Sequence, residues 1–131
     1  MAAMHPNVVP EIPLFALVPP RRQKDVARLA DEVAVPDGYQ LTAEGGSARE
    51  FFIVVSGTAD VLRDERLVGV LGPGDFCGEV GLLDRRWTRA ATVVATSPMC
   101  LLVLARNEFR ELIEGFPSVA APILHAATAR A

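Results

Sequence analysis

The apolar positions of this chain change their spacing twice, near Val35 and again near Asn107. Before the first change, Pro19 and Pro20 suit a helix start. Val26, Leu29, Ala30 and Val33 then recur near helical spacing, which predicts one amphipathic helix ending at Glu32 or Val33. Ahead of it, residues 1–10 read as a flexible arm punctuated by proline, and Ile12, Leu14, Phe15 and Leu17 as one short apolar turn. From Val35 onward short apolar runs are separated by glycine, proline or charged clusters at intervals of about ten residues, the rhythm of an all-β domain. Strands are expected at 51–55, 59–62, 67–71, 91–95 and 100–104, with Asp64 and Glu65 at a hairpin turn and Gly72, Pro73, Gly74 and Asp75 in a tight turn. After the second change Asn107 can cap a helix through Phe109, Leu112 and Ile113 that Gly115 stops. Pro117 and Ser118 open another, running to about Ala129, with Pro122 close enough to its start to cost little.

Composition narrows what such a molecule can be. At 131 residues, half of them apolar, the chain is one domain able to bury a core without a metal or staple. Thirteen basic residues against sixteen acidic ones leave a net charge of -3, so there is no broad basic field for nucleic acid, and any anion must be held locally. Cys77 and Cys100 have no second pair and no histidine at metal-ligand spacing, so both are read as buried free thiols and no metal site is expected. No apolar run approaches the roughly 18 residues that span a bilayer, and the N-terminus does not read as a signal peptide. A soluble, cytoplasmic protein is the expectation.

Candidate chemistry concentrates in residues 78–92, where Gly78 and Gly81 bracket Glu79 and Arg89 follows ten residues later. A carboxylate and a guanidinium at fixed separation can read two groups of one ligand: a sugar hydroxyl donates to the acid, and a phosphate accepts from the arginine. The flanking glycines allow close backbone approach, Leu82 and Leu83 can anchor the turn, and the free N–H groups of a helical start would favour an anion. Ala90 and Ala91 leave room beside Arg89 for something bulky. No nucleophile has a neighbouring base and Glu79 has no paired carboxylate, so Glu79 is read as a hydrogen-bond acceptor and the chain as a non-enzyme. Trp87 is either a half-exposed aromatic packing on the loop or a shield for the ligand. Arg85 and Arg86 are expected to be solvated.

Three stretches together resemble the cyclic nucleotide-binding domain family, found in bacterial cAMP receptor proteins and in regulatory subunits of cAMP-dependent protein kinase. They are Asp75-Phe76-Cys77-Gly78-Glu79-Val80-Gly81-Leu82, then Arg89-Ala90-Ala91-Thr92-Val93, and Phe52-Ile53-Val54-Val55-Ser56-Gly57 with the preceding Gly45. The ten-residue spacing looks bacterial. The resemblance implies a mainly β fold with flanking helices: an eight-stranded β-roll, jelly-roll-like, with an N-terminal helix and two C-terminal helices. The domain would occupy 11–131, its C-terminal helix truncated. By the same resemblance Arg89 pairs with the exocyclic phosphate oxygens, Glu79 accepts the ribose 2′-hydroxyl, and Gly78, Val80, Gly81, Ala90 and Ala91 line the pocket. Alanine at 90 replaces a phosphate-binding serine of the bacterial regulators and accompanies cAMP, where threonine accompanies cGMP.

The ligand so implied is cAMP, preferred over cGMP, with no cofactor. Aligned from Arg89, the family's base-contacting residues would fall beyond Ala131, so phosphate and ribose readers are visible and a base reader is not. Three readings remain. One is a sensor or regulatory module that passes its signal, or forms a homodimer, through the C-terminal helix. The second is a fragment of a cAMP receptor-type transcription regulator, or of an enzyme gated by the module, without its DNA-binding domain. The third is a degenerate module kept for protein contacts. None requires nucleic acid or membrane binding by this chain.

Overall fold

The computed structural model describes residues 2–84 and 87–130; Arg85 and Arg86 lie outside the described residues. Its strands are β1 (Ala2–Ala3), β2 (Asp31–Val35), β3 (Gln40–Thr42), β4 (Glu50–Ser56), β5 (Ala59–Arg63), β6 (Arg66–Leu71), β7 (Phe76–Cys77), β8 (Thr92–Ala95) and β9 (Met99–Ala105). The α-helices are α1 (Gln23–Ala27), α2 (Glu79–Leu83), α3 (Arg106–Gly115) and α4 (Pro117–Arg130), with 3₁₀ turns at Pro6–Glu11, Pro13–Phe15 and Pro20–Arg22. All strand pairs are antiparallel, in two sheets ordered β1-β2-β9-β4-β7 and β3-β8-β5-β6. The eight strands β2 to β9 form the expected roll, with helices at both ends, and β1 adds a two-residue edge.

The apolar run in β4 explains the layering. Side chains alternate across a strand, so an uninterrupted run is stable only when both faces are covered. Phe51 and Ile53 point to one side, where with Leu102 and Leu104 of β9 they pack against Val26, Phe109, Leu112, Val119 and Ile123 from the helices. Phe52 and Val54 point to the other side and meet Ala59, Leu71, Val93 and Ala95 of the second sheet. Each of these large side chains stabilises the fold by about 1.5–3 kcal/mol on full burial. On the edge strand β6 the cover is incomplete, and Leu67, Val68 and Val70 are exposed.

Several local expectations are corrected. Of the arm expected over residues 1–10, the described residues 2–10 are not loose: Ala2 and Ala3 pair with Glu32 and Asp31, and Met4 and Val9 are buried in the helical-side core. Prolines 6 and 10 delimit a compact turn there instead of a tail. The helix expected to reach Val33 stops as α1 at Ala27, because Asp31–Val35 pair residue by residue with Val103–Met99 of β9. A long ladder outweighs weak local helix propensity. Asn107 does not cap α3, which begins one residue earlier behind Ala105, and its Oδ1 accepts from Arg110 Nη2 at 3.0 Å. Of the apolar turn, Ile12 and Phe15 are buried but Leu17 is not, and in the later loop Leu82 packs inward while Leu83 stays exposed. Cys77 is buried as expected, whereas Cys100 is only half-buried. Among the described residues no helix is long and apolar enough to cross a membrane.

Candidate functional site

A short connection turns the chain from β7 into α2 and places Glu79 at the helix start. Gly78 is the pivot: its φ of 99° lies in the left-handed region, and a Cβ there would stand 2.8 Å from Glu50 O and 2.9 Å from Arg89 Nη1. Gly81 is needed for closeness, since its Cβ would meet Ala48 Cβ at 2.7 Å and Thr88 O at 2.8 Å. With both glycines in place the turn lies flat against the segment 45–48. That segment clamps the stretch ahead of β8 that carries Arg89: Arg89 N donates to Gly46 O at 2.8 Å, Gly45 N to Arg89 O at 3.0 Å and Ala48 N to Trp87 O at 2.7 Å.

Neither charged residue behaves as a surface side chain. Glu79 is 1% exposed and Arg89 7%. Arg89 donates from Nη2 to Glu50 O at 2.8 Å and more weakly from Nη1 to Gly78 O at 3.4 Å, and its guanidinium lies 5.7 Å from the Phe52 ring centroid. Burial presses its pKa down, while Cys77, Glu50 and Glu79 act to raise it. Beside it, burial above all, helped by the Glu79 charge, pushes the Cys77 thiol up from its ordinary 9.0 to about 12. That thiol is therefore neutral packing material, not a nucleophile.

Glu79 divides its carboxylate. Oε1 accepts from Arg130 Nη1 at 2.6 Å, whereas Oε2 is buried without a hydrogen-bond partner among the described residues. Arg130, at the end of α4, also donates to Phe76 O at 2.9 Å and lies 5.2 Å from the Phe76 ring centroid. Its side chain is 40% exposed, so it forms a rim and not a core.

These groups surround one cleft of about 340 Å³. All seven residues singled out in the sequence, Gly78, Glu79, Val80, Gly81, Arg89, Ala90 and Ala91, line it. Val61, Val68, Val70, Leu71 and Val93 supply an apolar wall, Thr42 and Cys77 more of the lining, and Ala129 and Arg130 bring in the end of α4. Thr42 Oγ1 donates to Ala91 O at 2.9 Å and fixes the segment that leads into β8. Arg63 also lines the cleft, donating from Nε to Ala90 O at 3.2 Å and from Nη2 to Arg130 O at 2.8 Å. Sequence reading missed Arg63 and Arg130. Arg63 sits two residues from Val61 on the same strand face, a signal that period-2 alternation carries; nothing in the alanine-rich tail marks Arg130. Trp87 is absent from the lining: it is 46% exposed and carries the Arg106 guanidinium over its ring at 3.9 Å.

The fold and this cleft define a β-roll with a small cleft between an acid and an arginine. The family model for the cyclic nucleotide-binding domain matches residues 32–116, and the chain belongs to that family. It is 32% identical over 116 residues to the cAMP-dependent protein kinase regulatory subunit of Aspergillus niger, an alignment covering 84% of this chain and 27% of that protein. The chain thus spans about a quarter of the length of that relative. Among solved structures, the Thermus thermophilus catabolite activator protein is 32% identical with a TM-score of 0.76, over 90% of this chain and 57% of that one. The regulatory domain of Toxoplasma gondii PKA, solved with cAMP, is 31% identical with a TM-score of 0.67, over 80% of this chain and 41% of that one.

Proposed function

We propose that the cleft binds cAMP, in preference to cGMP, and that the chain acts as a regulatory sensor module without catalysis of its own. The observation that carries this reading is the lone Oε2 of Glu79. A buried carboxylate oxygen without a donor is costly by about 1–3 kcal/mol, and a ribose 2′-hydroxyl entering the cleft would relieve that cost. Arg89 complements it. A guanidinium has about five N–H donors and Arg89 uses two on backbone carbonyls, leaving donors for the exocyclic oxygens of a cyclic phosphate. The base would lie along the apolar wall of Val61, Val68 and Val70, under the end of α4.

The preference for adenine rests on Ala90, which offers a methyl group where a threonine hydroxyl would accompany cGMP. Relatives named as regulatory subunits of a cAMP-dependent kinase, and a regulatory domain solved with cAMP, favour the same ligand and a regulatory role. The signal would leave through α4, toward a partner domain or a second copy of the chain. Soluble, cytoplasmic action belongs to the same reading.

Titration calorimetry tests it: cAMP is expected to bind one site per chain, with cGMP weaker. Incubation with cAMP followed by chromatography is expected to return the nucleotide unchanged. No heat and no displacement with either nucleotide would leave the module as a protein-contact domain, and hydrolysis would make it an enzyme.

A further inference from the structure

Arg63 joins two parts of the molecule that are distant in sequence. Its side chain reaches from the end of β5 to the carbonyl of Ala90, next to Arg89, and to the carbonyl of Arg130, at the end of α4. The second contact is the shorter of the two, at 2.8 Å against 3.2 Å. The side chain of Arg130 meanwhile holds Glu79 Oε1.

Taken in order, these contacts form an open ring. It runs from Glu79 to the Arg130 side chain, through the Arg130 backbone to Arg63, from Arg63 to Ala90, and along the chain to Arg89. The gap lies between Arg89 and the free oxygen of Glu79. A ligand that engages both would fill it.

We infer that Arg63 is a positioning residue that straps the end of α4 to the segment carrying Arg89, so that a ligand bridging Arg89 and Glu79 closes the ring and holds the helix over itself. This inference rests on the binding role proposed above. The strap depends on a planar fork that reaches two carbonyls at once, and lysine, a single point donor on a flexible stem, cannot replace it. A residue that only adds positive charge to attract a phosphate would be replaceable by lysine.

Two variants and two readouts separate these roles. Arg63→Met keeps most of the apolar stem and removes the donors; Arg63→Lys keeps the charge. Hydrogen–deuterium exchange of ligand-free protein is expected to be faster over residues 124–130 in both variants. Stopped-flow displacement of a fluorescent cAMP analogue is expected to show dissociation accelerated about tenfold in both, with most of the affinity change in that rate. Restoration of wild-type exchange and dissociation by Arg63→Lys would overturn the strap in favour of simple charge, as would unchanged exchange in α4 in both variants. If the wild-type chain binds no cyclic nucleotide, the proposed function fails while the exchange measurement still decides whether Arg63 holds the helix.

Discussion

Arg89 and Arg130 enter the same cleft from opposite sides and are held in different ways. Arg89 is buried, donates to two backbone carbonyls, and stands on a segment clamped through its own amide and carbonyl by Gly45 and Gly46. Arg130 is the rim of a helix end, its side chain 40% exposed, and one of its two acceptors is a side-chain carboxylate. Glu50 O belongs to the paired strand β4 and cannot rotate away, whereas a guanidinium at the edge of solvent can exchange partners. In the proposed reading the first side is a pre-formed reader and the second a more adjustable wall, and preorganisation puts most of the binding free energy on the first.

The strongest way to break this contrast is Arg89→Ala. It should weaken cAMP binding by about 3 kcal/mol or more, because a phosphate in the cleft would lose its charged partner. Calorimetry that found equal affinity in wild type and variant would remove the distinction altogether. Glu79→Ala should cost about 1.5–3 kcal/mol of binding in the same experiment, through the ribose contact. Gly78→Ala tests the frame and not the ligand. The φ of 99° and the 2.8 Å approach to Glu50 O should lower the unfolding free energy by roughly 2 kcal/mol in urea titrations, even without nucleotide.

On the side of α4 Arg130→Ala should cost about 1 kcal/mol of affinity or less, since the guanidinium half of the ion pair is 40% exposed and screened by water. A loss as large as that of Arg89→Ala would erase the difference between the walls. The smallest effect sharpens the picture at high pH. The Cys77 thiol is held neutral in the fold, from 9.0 up to about 12, while the unfolded chain releases its proton near 9.0. Its contribution is complete below pH 9 and fades as pH rises toward 12, so the thermal midpoint should fall across that window more steeply in wild type than in Cys77→Ala.

How much of this was legible in the sequence follows the same division. The cassette could be read because its chemistry is local: Gly78, Glu79 and Gly81 fall within four residues, and Arg89 follows ten residues after Glu79, just ahead of β8. The strands at β4, β5, β6, β8 and β9 were legible from apolar runs bounded by turn residues, and Asp64 and Glu65 do occupy the left-handed region between β5 and β6. What stayed hidden depends on partners far along the chain. Asp31–Val35 become a strand only because β9 offers a ladder, and Met4 is buried only because Ala2 and Ala3 add to that ladder. Arg63 and Arg130 belong to the cleft because α4 folds back across β5 and β7, and no spacing in the tail records that.

Trp87 has a consequence of another kind. The indole sits on a residue of left-handed φ, 52°, under a guanidinium 3.9 Å away. That same Arg106 donates to Ala48 O, whose residue in turn donates to the carbonyl of Trp87. The chain has one tryptophan. Its emission is thus a single-site optical reporter placed two residues from Arg89, with a built-in cationic neighbour whose displacement would change the spectrum. If the proposed ligand is bound and the loop that carries Arg89 responds, the unlabelled protein would report it by light.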